Sequence, residues 1–416
     1  MKIVIATKSV YPFHPVGGVQ KYVYNLAKYL IKENVDVEII APLDTGKART
    51  EIYEGIKYTF LWPSIFWYLE YPIGWLGVHL FSYMLSKYLK NKQFDLLHSF
   101  DMTGYQYLKV KNRRPVIAQI FTDNYLTNPI SFRNPLNIAS FLGHKLDDIK
   151  KKKIKISPFA DQKTIWQYPI QYFLKVKPMH FSLRRSDAVF LEEEVFKKEV
   201  VDLFDLNSQK CDTLPLGVDI SFITERMKNS FLARTDIGLD KDDLVLITVN
   251  RLAADKGVDK IIVALGDIIN EIPKVKLIIV GDGYQKKELL KLISDKNLKG
   301  NVLCFDKVSE EKLYGFYGIS DIYVSAFSYP GSSMSTLEAM ACGLPIVTTA
   351  QPWLVLEGKN GIVLESNEPS LIQKAVLGLA KNNRLKENGK ISKEIASSYD
   401  WGHIAKMAVK KYEKII

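Results

Sequence analysis

The sequence predicts an α/β protein of two domains, each built on a parallel β-sheet with helices packed against it. Three observations favour this class. Short apolar runs rich in β-formers alternate with amphipathic helical segments, which is typical of parallel sheets joined by crossover helices. The chain has 416 residues, too many for one hydrophobic core. Each half also begins with a strand, a loop that contains glycine, and a helix.

Composition and cysteine usage narrow the class of protein. The chain is 47% hydrophobic and 25% charged, as in ordinary globular proteins. Its three cysteines, Cys211, Cys304 and Cys342, show no paired spacing, which fits a reducing compartment and no metal site. After Lys2, only a four-residue apolar run precedes Thr7 and Lys8, so we expect no signal peptide.

The first domain is predicted to begin with a β-loop-α-β unit. Residues 2–6 and 35–40 are expected to be strands, and the helix 20–32 between them carries apolar residues at helical spacing. The loop before this helix contains Gly17 and Gly18. Ligands of such units bind at the carboxyl ends of the strands, where these glycines lie. A plain turn is the alternative explanation for the pair.

The stretch between residues 61 and 84 is rich in aromatic residues and holds three of the six tryptophans. Proline, glutamate and histidine residues interrupt it, so it cannot span a bilayer. We interpret it as a helical hairpin partly buried in the first core. The alternative is an interfacial surface that dips into lipid headgroups.

Two further parallel strands of the first domain are predicted at residues 94–100 and 115–123. The second ends at Asp123, whose position makes it a candidate site residue. A loop aspartate that caps a helix is equally compatible with the pattern. His98, in the first of these strands, is interpreted as a structural histidine.

The net charge of +11 is concentrated in one segment. Residues 145–185 contain eleven lysine and arginine residues against three aspartates, interleaved with aromatic residues. Such a segment indicates an anionic partner, which could be nucleic acid, an anionic membrane surface or a lipid pyrophosphate. A solvated insertion over 131–185 is the alternative, and nucleic acid is the least favoured partner.

The second domain is predicted from a regular succession of elements. Its strands are expected at 244–249, 276–280, 301–305, 321–326, 345–347 and 360–364. Helices are expected over 258–270, 309–319 and 335–342, with a last helix in the tail 398–416.

The most informative stretch follows the strand 321–326. Gly331 lies in a turn of small residues, where the missing Cβ lets a ligand approach the backbone closely. The helix 335–342 comes next, and the free N–H groups and dipole at a helix N-terminus favour an anion. Glu338 lies one turn into this helix. It is therefore within reach of a sugar hydroxyl of a ligand whose phosphates sit at the turn.

Two motifs resemble those of the retaining, family 4-type glycosyltransferases. That family's donor signature is a Glu, seven residues and a second Glu followed by Ala-Met-Ala-x-Gly-x-Pro. Residues 338–345, Glu-Ala-Met-Ala-Cys-Gly-Leu-Pro, match its second half, whereas Pro330 stands where the first Glu is usual. The loop 250–257 resembles the family's diphosphate clamp, with Arg251 and Lys256 in an Arg-Leu-x-x-x-Lys-Gly pattern.

The resemblance implies a GT-B fold, with two Rossmann-like domains whose parallel sheets face an interdomain cleft. The expected division is 1–215 for the acceptor domain, 216–399 for the donor domain and 400–416 for a helix that returns to the first domain. Residues 186–191 resemble the strand that closes the family's first domain.

The resemblance also implies the site. A nucleoside diphosphate sugar would bind with its ribose on Glu338 and its diphosphate between the two glycines and the two cations. The implied donor-binding residues are Gly17, Gly18, Arg251, Lys256, Gly331, Ser332, Ser333 and Glu338, and the catalytic candidates are Asp123, Arg251 and Lys256. Asp123 stands near the position where family members usually carry a histidine. The donor is a co-substrate, so no cofactor is expected, and no acidic pair after a strand indicates a metal.

The expected activity is retaining transfer of a sugar to a glycan or lipid-linked acceptor. The expected location is cytoplasmic, with peripheral attachment to the inner face of an anionic membrane. Two other classes stay open. One is a nucleotide-sugar-binding protein with impaired catalysis, which Pro330 and the missing histidine would explain. The other is a nucleic-acid-binding protein that acts through the basic segment.

Overall fold

The computed structural model describes most of the chain as two compact units. The described residues are 1–14, 17–43, 48–63, 75–121, 172–229, 232–328, 331, 333–349, 351 and 353–416. The first unit comprises Met1–Pro215 with Ile404–Ile416, and the second comprises Leu216–His403. Each unit has its own largely parallel sheet with helices, so the predicted fold class is confirmed.

The first unit is built on one sheet. Its strands are β1 (Lys2–Ala6), β2 (Asp36–Leu43), β3 (Arg49–Tyr53), β4 (Ile56–Pro63), β5 (Leu96–Phe100), β6 (Val116–Ile120), β7 (Ala188–Leu191) and β8 (Cys211–Thr213). Their order is β3-β4-β2-β1-β5-β6-β7-β8, and all neighbours are parallel except β3 and β4. The prediction that residues 186–191 close this domain is therefore wrong. The three residues of β8 are too few to show a hydrophobic period.

The second unit is also built on one sheet. Its strands are β9 (Leu244–Val249), β10 (Val275–Val280), β11 (Val302–Phe305), β12 (Ile322–Ser325), β13 (Ile346–Thr348) and β14 (Gly361–Val363). Their order is β11-β10-β9-β12-β13-β14, with every neighbour parallel. These strands lie close to their predicted positions. A parallel sheet covered by helices on both faces needs near-continuous apolar strands, and such strands are readily recognised in a sequence.

Helices cover the sheets. In the described ranges they are α1 (Gly18–Lys32), α2 (Trp75–Leu89), α3 (Lys177–Arg185), α4 (Lys197–Phe204), α5 (Ile220–Asn229), α6 (Val258–Ile268), α7 (Lys286–Asp295), α8 (Glu310–Ile319), α9 (Met334–Ala341), α10 (Pro369–Lys381), α11 (Leu385–Ser397) and α12 (Trp401–Glu413). None of the helices in these ranges has an apolar stretch long enough to cross a membrane.

The last helix, α12, begins in the second unit and belongs to the first from Ile404 onward. At its start the fully buried Trp401 packs on Gly217, where a Cβ atom would lie 2.5 Å from the indole. Near its end the Tyr412 hydroxyl lies 2.7 Å from Nδ1 of the buried His98. Burial lowers the pKa of His98 to about 3, although a hydrogen bond with Gln119 opposes the shift. His98 is therefore neutral and structural, as predicted.

The described parts of the aromatic stretch are the end of a strand and a helix, so the predicted helical hairpin is wrong at residues 61–63. Residues 61–63 end strand β4, which pairs with β2 on one side and β3 on the other. The part from Trp75 onward is a helix, and residues 64–74 lie outside the described part of the chain. Pairing with β2 carries the strand to Pro63, and that information is absent from local composition.

The C-terminal end of the 131–185 segment is not a solvated insertion either. Val176, Met179 and Leu183 are fully buried in the core of the first unit. Arg184, counted among the basic residues, donates a 2.9 Å hydrogen bond to the carbonyl of Phe204. Residues 122–171 lie outside the described residues.

Candidate functional site

The second sheet has a point at which its strand order reverses. β9 comes first in the chain, β10 lies on one side of it, and β12 lies on the other. Ligands of open parallel sheets bind outside the carboxyl ends of the strands at such a point, because the connections leave in opposite directions. The loops at this edge are residues 250–257 after β9 and the described residues 326–328, 331 and 333 after β12. They contain Arg251, Lys256, Gly331 and Ser333 of the predicted donor-binding residues.

The backbones of these two loops are in direct contact. Gly257, which precedes α6, has φ +62°. A Cβ atom there would lie 1.9 Å from the carbonyl oxygen of Ala326. Beside this contact, the Ser328 amide donates a 2.9 Å hydrogen bond to the carbonyl of Asp255. Only glycine fits at position 257, because the backbone there has a positive φ and there is no room for a Cβ atom. The loop 250–257 is thus fixed against the end of β12.

The loop after β10 supports residues 250–257 from the other side. The Leu252 amide donates a 2.9 Å hydrogen bond to the carbonyl of Asp282. The Ala254 amide donates to the Tyr284 hydroxyl at 2.9 Å. Because hydrogen bonds from both neighbouring loops hold it, the backbone that carries Arg251 and Lys256 is preorganised.

Arg251 and Lys256 lie on either side of one carboxylate. Asp255 is 3.6 Å from Nη2 of Arg251 and 3.3 Å from Nζ of Lys256. The Lys256 ammonium also lies 4.1 Å from the centre of the Phe327 ring, which belongs to the other loop. The Lys256 side chain is 24% exposed and that of Arg251 is 67% exposed. Two cations with one carboxylate leave a net positive charge that suits a diphosphate.

The N-terminus of α9 is fixed by hydroxyl groups. The Ser333 side chain accepts a 3.4 Å hydrogen bond from the Thr336 amide and caps the helix. The Ser335 hydroxyl lies 2.9 Å from both the Ser333 hydroxyl and the buried Tyr323 hydroxyl. These contacts orient the first turn of α9, whose N–H groups favour negative charge.

Glu338 lies one turn into α9 and is partly exposed. Burial is the main cause that raises the pKa values of Tyr317 and Cys342, and the negative charge of Glu338 is the second. The carboxylate therefore lies where buried groups and solvent meet, as a residue that binds a ligand hydroxyl must.

Family comparisons match both units. The model described as Glycosyltransferase Family 4 matches residues 16–222, and the model described as Glycosyl transferases group 1 matches residues 230–395. The chain belongs to the family 4-like glycosyltransferases of the GT-B fold. The resemblance predicted from residues 338–345 and the loop 250–257 is therefore confirmed, and the protein is an enzyme.

Individual proteins resemble this glycosyltransferase along its whole length. An uncharacterized glycosyltransferase of Methanocaldococcus jannaschii, MJ1069, is 27% identical over 418 residues, covering 96% of this chain and 94% of that protein. Sucrose-phosphate synthase of Thermosynechococcus elongatus has a TM-score of 0.76 at 15% identity, covering 99% and 98% of the two chains. Anabaena Alr3699/HepE in complex with UDP-glucose has a TM-score of 0.68 at 16% identity, covering 100% of both. The two structures establish the fold.

The predicted site residues of the glycosyltransferase fall into three groups. Arg251, Lys256, Gly331, Ser333 and Glu338 share the carboxyl edge of the second sheet, and Gly331 is buried there. The second group, Ser332 and Asp123, lies outside the described residues together with Pro330, so their roles stay predictions. The third group is Gly17 and Gly18, which belong to the first unit.

The two glycines of the first unit start a helix. Gly17 is the N-cap of α1 with an extended backbone (φ −146°, ψ 178°), and Gly18 is its first residue. The helix thus begins two residues earlier than predicted. Gly18 has no side chain that could show the helical period, whereas Val19 lies four residues before Val23 and fits it. A donor-binding role for the pair stays a prediction.

Sequence reasoning missed three residues at the site of the glycosyltransferase. Asp255 and Phe327 surround Lys256, as described above. Gln351, just after β13, is fully buried with φ +55°, and its amide oxygen and nitrogen have no hydrogen-bond partner among the described residues. The contacts of Asp255 with Arg251 and Lys256 join residues that are close in the sequence. The contact of Phe327 with Lys256 depends on strand order.

Proposed function

We propose that this glycosyltransferase takes its sugar from a nucleoside diphosphate sugar, whose diphosphate binds Arg251 and Lys256. The observation that carries the proposal is the paired cations on a rigid loop at the switch point of the second sheet. Lysine binds phosphate as a compact point charge, and arginine adds planar, bidentate hydrogen bonds. The UDP-glucose in the Alr3699/HepE complex supports this class of donor.

The rest of the donor is assigned to the same edge. The ribose hydroxyls would donate to the Glu338 carboxylate, and a phosphate oxygen would accept from the first N–H groups of α9. The amide of Gln351 has both a donor and an acceptor available for sugar hydroxyls among the described residues. Gly17 and Gly18 are proposed as a further phosphate contact from the first unit.

The transfer itself is proposed to proceed with retention. The bond between the anomeric carbon and the diphosphate oxygen breaks, and its electron pair stays with the leaving diphosphate. Lys256 stabilises the negative charge that develops there without reorganising, because Asp255 and Phe327 already hold its ammonium. Arg251 adds to this stabilisation once its exposed side chain is ordered on the diphosphate. The acceptor hydroxyl forms the new bond on the same face of the sugar and gives its proton to the leaving phosphate oxygen. This route needs no side-chain base.

A ligand screen followed by product analysis tests the donor and the stereochemistry. One nucleotide series among UDP-, GDP- and ADP-sugars should raise the melting temperature, since a ligand at 100 times its Kd adds about 2.7 kcal/mol. NMR of the product should then show the donor's anomeric configuration. Binding without turnover would favour the impaired nucleotide-sugar-binding protein, and an inverted product would contradict retention.

We further propose a lipid-linked acceptor used at the inner face of an anionic membrane. The support is the basic segment 145–185 and the aromatic residues of the first domain. Each lysine near an anionic surface contributes about 1 kcal/mol, so several acting together hold a protein on a membrane. Anionic vesicles should therefore bind the protein at low salt and release it as salt rises.

The four lysines at 150–153 provide the variant for this test. Replacing all four with serine should release the protein from the vesicles, whereas neutral vesicles should bind neither protein. If the unaltered protein ignores anionic vesicles at low salt, the membrane proposal is wrong and a water-soluble acceptor becomes the better assignment. A steeply salt-dependent shift of DNA or RNA in the same buffers would instead support nucleic-acid binding.

A further inference from the structure

Three hydroxyl groups form a connected network between β12 and the start of α9. The Tyr323 hydroxyl lies 2.9 Å from Oγ of Ser335, and that oxygen lies 2.9 Å from Oγ of Ser333. Tyr323 is fully buried in the second sheet, whereas Ser333 is the N-cap of α9. This hydroxyl network therefore connects the core of the second unit to the edge where the donor is proposed to bind.

The direction of the hydrogen bonds follows from the burial of Tyr323. Burial raises the pKa of Tyr323 above its ordinary value of 10, and hydrogen bonds with neighbouring hydroxyls, that of Ser335 foremost, oppose the shift only in part. The phenol is therefore protonated at neutral pH, and a buried O–H group without an acceptor is costly. The Thr336 hydroxyl has no partner at hydrogen-bond distance in the described part of the chain. Tyr323 consequently donates to Ser335.

Ser335 passes this direction on to Ser333. A serine hydroxyl has one proton to donate and two lone pairs that accept. Because the Ser335 oxygen accepts from Tyr323, its proton is directed to the Ser333 oxygen, which also accepts a 3.4 Å hydrogen bond from the Thr336 amide. Both lone pairs of Ser333 are then occupied. Its own proton has no acceptor among the described residues, so this hydroxyl is held as a donor, which suits a phosphate oxygen.

A second observation at the same edge indicates a polar ligand. Gln351 follows β13, the neighbour of β12, and is fully buried, yet its amide oxygen and nitrogen have no partner in the described ranges. Its loop is tied to the loop after β12, because the Thr349 hydroxyl donates a 2.8 Å hydrogen bond to the carbonyl of Phe327. Buried polar groups are normally satisfied, so an unpartnered amide here indicates that a ligand supplies hydrogen bonds at this edge.

We propose that the Ser333 hydroxyl donates a hydrogen bond to a phosphate oxygen of the donor, and that Tyr323 positions this hydroxyl through Ser335. The inference rests on the proposed function, which assigns a nucleoside diphosphate sugar to this edge. Tyr323 does not touch the donor. It fixes which way the two serine hydroxyls point, so that Ser333 offers a proton and no lone pair. This side-chain contact adds to the N–H groups of α9.

Binding of a nucleoside diphosphate tests the proposal without turnover. Calorimetry with UDP, GDP and ADP first identifies the diphosphate that the wild type binds. Ser333→Ala should then weaken that diphosphate by about tenfold or more, because a hydrogen bond to a charged group is lost. Tyr323→Phe and Ser335→Ala should each weaken it by about three- to tenfold, because the Ser333 hydroxyl stays but is no longer held as a donor. Ser335→Thr keeps the hydroxyl and should bind as the wild type does.

Tyr317 provides the matched control. It is also fully buried, but its hydroxyl donates a 3.3 Å hydrogen bond to the backbone carbonyl of Ser335 and lies outside the hydroxyl network. Tyr317→Phe therefore removes the same group from the same neighbourhood and should leave diphosphate affinity unchanged. In a Ser333→Ala background, Tyr323→Phe should cause no further loss, because its effect is exerted through Ser333.

Several results would overturn the proposal. An equal loss of affinity in Tyr317→Phe, or a full further loss when Tyr323→Phe is added to Ser333→Ala, would show that Tyr323 only supports the fold. If Tyr323→Phe folds poorly, equal affinities of Ser335→Ala and Ser335→Thr would refute the network. Wild-type affinity in all hydroxyl variants, with weakened binding in Lys256→Ala, would refute this inference and leave the donor site intact. Failure of the wild type to bind any of the three diphosphates would refute both.

Discussion

Replacing the two cations of the loop 250–257 should separate their contributions to catalysis. Lys256 is held between Asp255 and Phe327, so its ammonium loses little freedom when the donor binds. Arg251 is 67% exposed and must be ordered, which opposes binding by up to about 2 kcal/mol. We therefore expect Lys256→Ala to lower kcat/KM by about 100- to 1000-fold, or about 2.7–4 kcal/mol. Arg251→Ala should lower it by about 10- to 100-fold.

The assay is sugar transfer at saturating acceptor, with donor affinity measured in parallel. Both variants should weaken donor binding and transfer together. Lys287→Ala, an exposed lysine of α7 in the same unit, is the matched control and should behave as the wild type. Losing the contact of Lys256 with Phe327 lowers the free energy of unfolding by about 1 kcal/mol, which lowers Tm by about 2–4 °C. Wild-type rates in both variants would refute the diphosphate assignment, and a larger loss for Arg251→Ala would refute the ordering argument.

Three other predictions follow from the described residues. Glu338→Gln should weaken the nucleoside diphosphate by about 10- to 100-fold, because a charge-assisted hydrogen bond to the ribose is lost; unchanged affinity, with Glu288→Gln as the exposed control, would count against that role. Transfer should survive EDTA, since no group of three or more His, Cys, Asp or Glu side chains within the described ranges could hold a metal ion; loss of activity that magnesium restores would contradict this. Glu38→Gln should destabilise the first unit by about 1–3 kcal/mol at pH 7. Burial raises the pKa of the Glu38 carboxyl, but hydrogen bonds from Lys92 and Thr59 outweigh burial and hold it below its ordinary value of 4.5. That stabilisation is present above pH 4.5 and is lost as the pH falls through the lower folded value, so the Tm difference between variant and wild type should shrink in acid. A difference independent of pH would contradict the assignment.

The sequence predicted local elements and motifs well for a physical reason. A strand buried on both faces must be apolar throughout, and a helix end needs a residue that tolerates φ > 0. Gly343, with φ +85°, ends α9 as predicted. The motif around Glu338 and the loop with Arg251 and Lys256 are short-range patterns. They were enough to identify the family and its fold, and the donor-binding roles of these residues stay predictions.

Local patterns failed where a partner distant in the chain decides the structure. The start of the aromatic stretch is a strand because β2 pairs with it, at Pro42 with Leu61 and at Leu43 with Pro63. Phe327 faces Lys256 because β9 and β12 are neighbours in the sheet, although they are separated by two strands and several helices in the sequence. His98 could be recognised as structural, but not its partner Tyr412, which lies 314 positions away.

The sequence by itself determined that this protein has two α/β domains, each with a largely parallel sheet. It also predicted a diphosphate clamp and a glutamate that binds the ribose. The tertiary structure alone decided which side chains surround those residues. Hydrophobic period and turn chemistry act over a few residues and are written locally, whereas side-chain contacts depend on strand order and packing across the whole domain.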